Sequence, residues 1–344
     1  MQLSVRQRLQ RGGLALVVLV VVAVLAGACS ANDPQAQLSK ALDRSLRTSF
    51  AYDFALQADQ DALSGLAPAN EQARLFLQGL NVRGHRTNGR NSFVVRALGI
   101  DAIELRSVDE DTLYLRFGFD ELSRMLGEDD SSGQMIRLLR ERGLADEATA
   151  AAGAAFRGEW LGVEGGVEAA EVRAVLSTEE AEPPRPEGRE SLREALGGDA
   201  DGFVERYVVV DGVSGNEDER VFAISLRVRD LLMAVASADP TSQVQESQRD
   251  PEALPELAPG TVTVRDGLVT NVFVDLAEAT RSAGEAENGS TAARLEMSQH
   301  GEVADIEPPP AAVMVTKEQF LEALGAVSGL VEDLVPPIPP PSAP

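Results

Sequence analysis

Lysine is almost missing from this chain: Lys40 and Lys317 are the two among 344 residues. Cysteine occurs once, at Cys29, so no internal disulfide can form and stability rests on packing alone. Aromatic residues make up 4% of a chain that is 44% hydrophobic, with Trp160 its one tryptophan, so its core is mostly aliphatic. Histidine appears twice, at His85 and His300, both in turn-like polar contexts without metal-ligand spacing. A serine hydrolase would have only those two bases to choose from. No cysteine pair, HExxH, GxxxxGK or GxSxG pattern occurs. The sequence therefore names no catalytic residue, cofactor or metal, and the chain does not read as an enzyme.

Positive charge is also scarce. Lysine and arginine total 31 against 55 acidic residues, a formal net charge of −24. Such a chain is repelled by nucleic acid and by anionic headgroups, so no nucleic-acid partner is expected. The acidic runs Glu128-Asp129-Asp130, Glu179-Glu180 and Glu217-Asp218-Glu219 read as solvated loops, and none has the spacing of a calcium loop. The preference for Arg and Ala over Lys and Ile fits a high-GC genome.

What is present is concentrated at the beginning. Arg6, Arg8 and Arg11 precede the apolar run Leu14 to Ala26, and Gly27-Ala28-Cys29 follows. The run is too short to span a bilayer comfortably, which takes about 20 residues. A positive start, a short apolar core and a small-residue exit predict a secretory signal peptide over residues 1–28. Leu25-Ala26-Gly27-Ala28-Cys29 resembles the lipobox of bacterial lipoproteins, with Ala26 where Leu is commonest. That resemblance implies that Cys29 is the lipidation site and, after cleavage, the first residue of the chain. The alternatives are an uncleaved signal anchor or an ordinary signal peptide with a chance cysteine. Lipidation implies an extracytoplasmic protein held on the outer face of the cell membrane by its anchor.

After a tether over residues 29–33, Asp33-Pro34 starts a helix that places Leu38, Ala41, Leu42 and Leu46 on one face through about Arg47. Alternation then predicts strands at Phe50–Leu56, Ala73–Gly84, Asn91–Leu98, Ala102–Val108 and Thr112–Phe117, an antiparallel meander with turns at His85–Arg90 and Asp109–Asp111. Helices are expected at Asp120–Leu126, Gln134–Arg142 and Ala148–Ala155, with a strand at Gly158–Val163 carrying Trp160. Trp160 reads as core or, alternatively, as cavity lining. A second set pairs Phe203–Val213 with Arg220–Val228, adds a helix at Asp230–Ala238, and places Leu268–Leu276 against Thr261–Arg265 across Asp266-Gly267, a strong hairpin signal. Ala293–Gln299 is the last strand expected. Glu179–Glu190 and Asp239–Pro259 read as Pro-containing insertions. From Val313 the pattern changes: Thr316 and Gln319 have capping-box spacing, and Phe320, Leu324, Val327, Val331 and Leu334 share one helical face. Residues 313–335 are thus expected as a C-terminal amphipathic helix, either a lid on the protein's own core or a docking helix, and 336–344 as a polyproline tail.

The order of these stretches resembles the bacterial lipid-carrier lipoproteins of the LppX/LprG type, LolA-like in fold. The resemblance rests on Phe50–Leu56 (FAYDFAL), Ala102–Arg116 (AIELRSVDEDTLYLR), Gly158-Glu159-Trp160, the hairpin Thr261–Leu276 and Gln299-His300-Gly301. It implies an α+β domain over residues 34–312: a curved antiparallel sheet, a half-barrel, packed against helices and enclosing an apolar cavity. It also implies a lipid or lipoglycan ligand, membrane attachment through the lipid anchor and a membrane transporter as partner. Alternating strands by themselves need only a core, so a filled core in a non-transport envelope lipoprotein that binds another protein is the competing reading. A continuous apolar cavity of several hundred Å³ would favour the carrier.

Overall fold

The computed structural model describes residues 33–59, 79–88, 90–97, 99–109, 111–119, 121, 131–165, 167, 175, 194, 196–238, 256–277 and 291–334. The expected leader, Cys29 and its tether, the helix Asp120–Leu126, the insertions Glu179–Glu190 and Asp239–Pro259 and the tail from Pro336 lie wholly or mostly outside the described residues. Among those described are six helices: α1 Pro34–Arg47, α2 Ser131–Glu141, α3 Asp146–Phe156, α4 Ala200–Tyr207, α5 Val228–Ala238 and α6 Lys317–Leu334. The strands are β1 Phe50–Ala58, β2 Asn81–Thr87, β3 Arg90–Ala97, β4 Ile100–Ser107, β5 Thr112–Phe117, β6 Leu161–Glu164, β7 Val208–Gly215, β8 Glu219–Leu226, β9 Ala258–Arg265, β10 Leu268–Asp275, β11 Thr291–Ser298 and β12 Val313–Thr316.

The strands follow one order, β12-β6-β5-β4-β3-β2-β1-β11-β10-β9-β8-β7, which is open at both ends. The pairs from β7 through to β11, β11 with β1, β1 with β2, β4 with β5 and β5 with β6 are antiparallel. Only β12 and β6, among the pairs described, run parallel. The α+β class, an antiparallel sheet packed on helices with a C-terminal helix, is therefore present. The meander β1 to β5 runs in sequence order, as expected.

The chain forms two compact units. The first comprises residues 1–89, 95–99 and 187–305. Its core is the helix-facing side of β1 and β7–β11, where Phe54, Phe222, Val262, Val272 and Leu295 are buried against Leu38 and Leu42 of α1, Phe203 and Val204 of α4 and Leu231 of α5. The β9–β10 turn is built as the sequence predicts, with Asp266 at φ 52° and Gly267 at φ 74°. The second unit comprises 90–94, 100–186 and 306–344. Here the alanine-rich α3 is buried among α2, α6 and the inner faces of β5, β6 and β12. The capping box at α6 is made: Thr316 N–H donates to Gln319 Oε1 (2.9 Å) and Gln319 N–H to Thr316 Oγ1 (3.3 Å). Phe320 and Ala323 of α6 are buried in this unit's own core, the lid arrangement.

Four expectations need correction. Residues 200–207 are helix, not the start of a strand: Asp199 caps Gly202 N–H, and Phe203, Val204 and Tyr207 are buried at i, i+1, i+4 spacing. β2 continues through His85 to Thr87, and the turn sits at Asn88, whose φ of 50° is the left-handed conformation that Asn tolerates. Trp160 precedes β6 and does not lie on it; Gly158, at φ 68°, ends the exit from α3. The Trp160 ring is half-buried beneath two guanidinium groups, Arg106 at 4.7 Å and Arg116 at 5.6 Å from the centroid, and lies outside both buried core clusters. Residues 313–316 form β12 before the C-terminal helix begins.

Candidate functional site

The helix-facing side of the first unit's sheet does not pack completely. Leu38 and Leu42 of α1, Phe203 and Val204 of α4, and Leu231 of α5 face Val208, Ile224, Leu226, Val262, Val269, Val272 and Val274 of the sheet. Between them lies a void of about 50 Å³. Every lining side chain is hydrocarbon, so the void has no partner for water and is dry. It falls well short of the roughly 300–1,000 Å³ typical of ligand pockets.

One end of this layer is sealed by polar contacts. The Ser45 hydroxyl, fully buried at the end of α1, donates to Ala41 O (2.8 Å) and accepts from Val269 N–H (2.7 Å). His300 Nε2 lies 2.9 Å from Val269 O. A carbonyl only accepts, so Nε2 carries a proton and donates it to Val269 O. Both backbone groups of Val269 are thus taken by side chains, next to the β-bulge between Val269 and Asn271. Arg44 Nη1 donates to Asp266 O (3.2 Å) on the adjoining turn. Ser45→Ala would leave the Val269 N–H buried without a partner. It is expected to destabilise the protein by about 1–3 kcal/mol, read as a lowered urea midpoint with an unchanged slope.

Burial pushes the His300 pKa below the ordinary 6.5, and the bond to Val269 opposes that shift only in part. The sign follows from linkage. The folded ring resists protonation, so its contribution is intact above the unfolded value and is lost as pH falls below about 6.5 through the lower folded value. His300→Gln keeps an N–H donor for Val269 O but cannot titrate. The wild type is expected to lose stability relative to this variant between pH 7 and 5, measured as paired thermal midpoints; parallel curves would contradict the assignment.

At the other end of α1, Asp33 Oδ1 accepts from Gln35 N–H (3.0 Å), and the Gln35 amide donates to Val204 O (3.0 Å) and Val208 O (2.9 Å), where α4 gives way to β7. Ser39 bonds to Asp201, and Arg220 Nη1 donates to Gln37 Oε1 (2.8 Å). These contacts hold α1 along its length over the void.

The structure brings the two histidines into no common site: His85 is on β2, and His300 serves the Val269 carbonyl. Among the described residues no group of His, Cys, Asp or Glu is arranged to hold a metal ion. Of the acidic runs, 217–219 lies in the β7–β8 turn, where Asn216 Oδ1 accepts from Asp218 and Glu219 N–H and Glu219 pairs with Arg265. No described helix is long and apolar enough to cross a membrane. Alternation in the sequence does not locate the lining of the void. It predicts a strand at Phe203 and Val204, and the signal that marks them as helix is the Asp199 cap followed by helical spacing.

No family model and no curated protein matches the chain. Among solved structures, the fold is similar to that of the lipoprotein LppX of Mycobacterium tuberculosis. The identity is 10%, the TM-score 0.33, and the match covers 79% of this chain and 97% of that one. LprF from Mycobacterium bovis matches at 11% identity and a TM-score of 0.29 over 89% and 97% of the two chains.

Proposed function

We propose that this chain is a membrane-anchored extracytoplasmic lipoprotein. It takes an acyl chain of a lipid or lipoglycan between the helices and sheet of its first unit and passes it on within the cell envelope, with a membrane transporter as partner. The observation that carries this reading is the all-hydrocarbon void bounded by α1, α4, α5 and β7–β10. Alkyl chains need apolar volume and few directional contacts, which is what Val- and Leu-rich walls offer. In this reading the void grows as the helices part from the sheet to admit an acyl chain. The small volume, about 50 Å³, favours a second reading: a filled core in a non-transport lipoprotein that acts through protein contacts.

Native mass spectrometry with lipid extraction, on protein purified from its host's envelope, separates the two. A defined lipid released in stoichiometric amount is the expected result. Lipid-free protein that also refuses acyl probes would sink the carrier and leave the interaction module.

A further inference from the structure

Among the described strands the order ends at two edges, and they are built differently. β7 is protected: a bulge lies between Val210 and Gly212, Asp211 sits on it, and Gly212 and Gly215 interrupt the strand. β12 has none of these devices. Val313–Thr316 carries no charge, proline or glycine, and pairs with β6 in unbroken register. Val313 and Met314 are nevertheless among the few large hydrophobic residues left exposed, at 36% and 45%. Val313 N–H donates to Trp160 O (2.8 Å), so Val313 and Val315 turn their backbone groups to β6. The N–H and C=O of Met314 then point to the free edge. Thr316 N–H is taken by Gln319 Oε1, so the edge is a short template.

The side chains beside this edge are specialised. Leu113, Leu115 and Phe117 of β5 turn to the second unit's core, which leaves Tyr114 and Arg116 on the other face. Met314 lies across Gly162 towards Tyr114: a Cβ at Gly162 would collide with Met314 Sδ and stand 3.0 Å from Tyr114 Cε1. Arg106 and Arg116 reach from β4 and β5 over the Trp160 indole, which carries their charge to the residue bonded to β12. Glu104 pairs with Arg116, whereas Arg106 donates to the backbone carbonyl of Glu307 (3.4 Å). Two cations thus share one carboxylate, a positive group on a chain of net charge −24. Trp, Tyr, Met and Arg are also the residue types enriched where proteins bind one another.

We propose that β12 is the docking edge for a partner protein, which adds a short, extended, acidic segment there as a further strand. Apolar side chains of that segment continue the row of Val313 and Val315, and its carboxylates lie on the face of Met314 and Trp160, against Arg106. A second copy suits the edge less well: β12 offers Arg106 no carboxylate, and two chains of charge −24 repel each other. The inference uses the second unit alone and is independent of the void.

Trp160, the one tryptophan, reports on the site directly. The probes are acetylated hexapeptides of alternating Glu and Val, or Lys and Val, titrated into the full chain purified from its host's envelope in mild detergent. A saturable shift of Trp160 emission is expected with the Glu peptide, at an affinity at least about ten-fold higher than with the Lys peptide. Net charge alone predicts the reverse order, since a chain at −24 attracts lysine. Methylating alternate amide nitrogens of the Glu peptide, along its docking edge, is expected to abolish the shift. Met314→Pro removes the outward N–H and no bond to β6, a change edge strands tolerate, and is expected to weaken binding by about ten-fold or more. Met314→Leu should bind as the wild type does, and Arg106→Gln should cut the preference for Glu over Lys several-fold. The methylated peptide carries the test without altering the protein. No saturable shift, an equal or reversed preference, or undiminished binding of the methylated peptide overturns the inference. Self-association of the peptide-free chain that Met314→Pro abolishes puts a second copy on the edge and overturns the acidic partner.

Discussion

Phe54→Ala is expected to lower the unfolding free energy by about 3–5 kcal/mol, the range for deleting a fully buried phenylalanine that leaves a cavity behind. Phe54 is wholly buried on β1, between Leu295 of β11 and Val82 of β2. Each flanking strand is itself fixed by its next neighbour or turn, so the gap cannot collapse cheaply. Its neighbour Ala55 points to the opposite face of the strand, opposite Arg294. Ala55→Thr is therefore expected to stay within about 0.5 kcal/mol of the wild type. Urea unfolding followed by circular dichroism reads both. A loss below about 1 kcal/mol for Phe54→Ala would show that the core around β1 repacks freely, contrary to the packing described.

Cys29→Ser is expected to remove two properties together. The wild type should incorporate a palmitate analogue and lack residues 1–28, because lipidation of the thiol precedes the cut before Cys29 in the lipoprotein pathway that the Leu25–Cys29 stretch resembles. The serine variant should take no label and keep the leader. Two acyl chains hold a protein firmly where one does not, at about 0.8 kcal/mol per buried CH₂. Gel mobility with palmitate labelling reads both properties at once. Label retained in the serine variant would place the acyl group elsewhere. No label in the wild type would restore the signal-anchor or ordinary signal-peptide alternatives.

The parts of the fold that were legible in the sequence are those fixed by local chemistry. Asp266-Gly267 announces its hairpin because that turn needs two residues in the left-handed region. Thr316 and Gln319 announce α6 because their side chains bond reciprocally to its free N–H groups. Asp33-Pro34 does the same for α1. Where the sequence misled, two periods competed or the partner was remote. Residues 203–213 (FVERYVVVDGV) contain both a helical triplet and a run of valines; the Asp199 cap starts a helix that ends at Tyr207, where the valine run takes over as strand. β12 is four residues long and exists because β6 pairs with it in parallel from far earlier in the chain. The walls of the void were illegible for a related reason. They come from three helices and four strands whose facing depends on register, and one residue of slip exchanges core for solvent.

The interleaving of the two units also has a temporal side. β1 is among the first strands to appear, yet its partner in the first unit on one side is β11, with Tyr52 set against Met297. The whole second unit except 306–344 is made in between. Pairings so distant in sequence fold slowly, because the chain must close a long loop before any contact rewards it. A chain that emerges N-terminus first must therefore keep Phe50, Phe54 and Leu56 apart from other apolar segments until residue 298 is available. During that interval β1 is an exposed, aggregation-prone edge. Assembly of the first unit thus waits until residue 298 has been made, although that unit contains the first helix and strand of the chain.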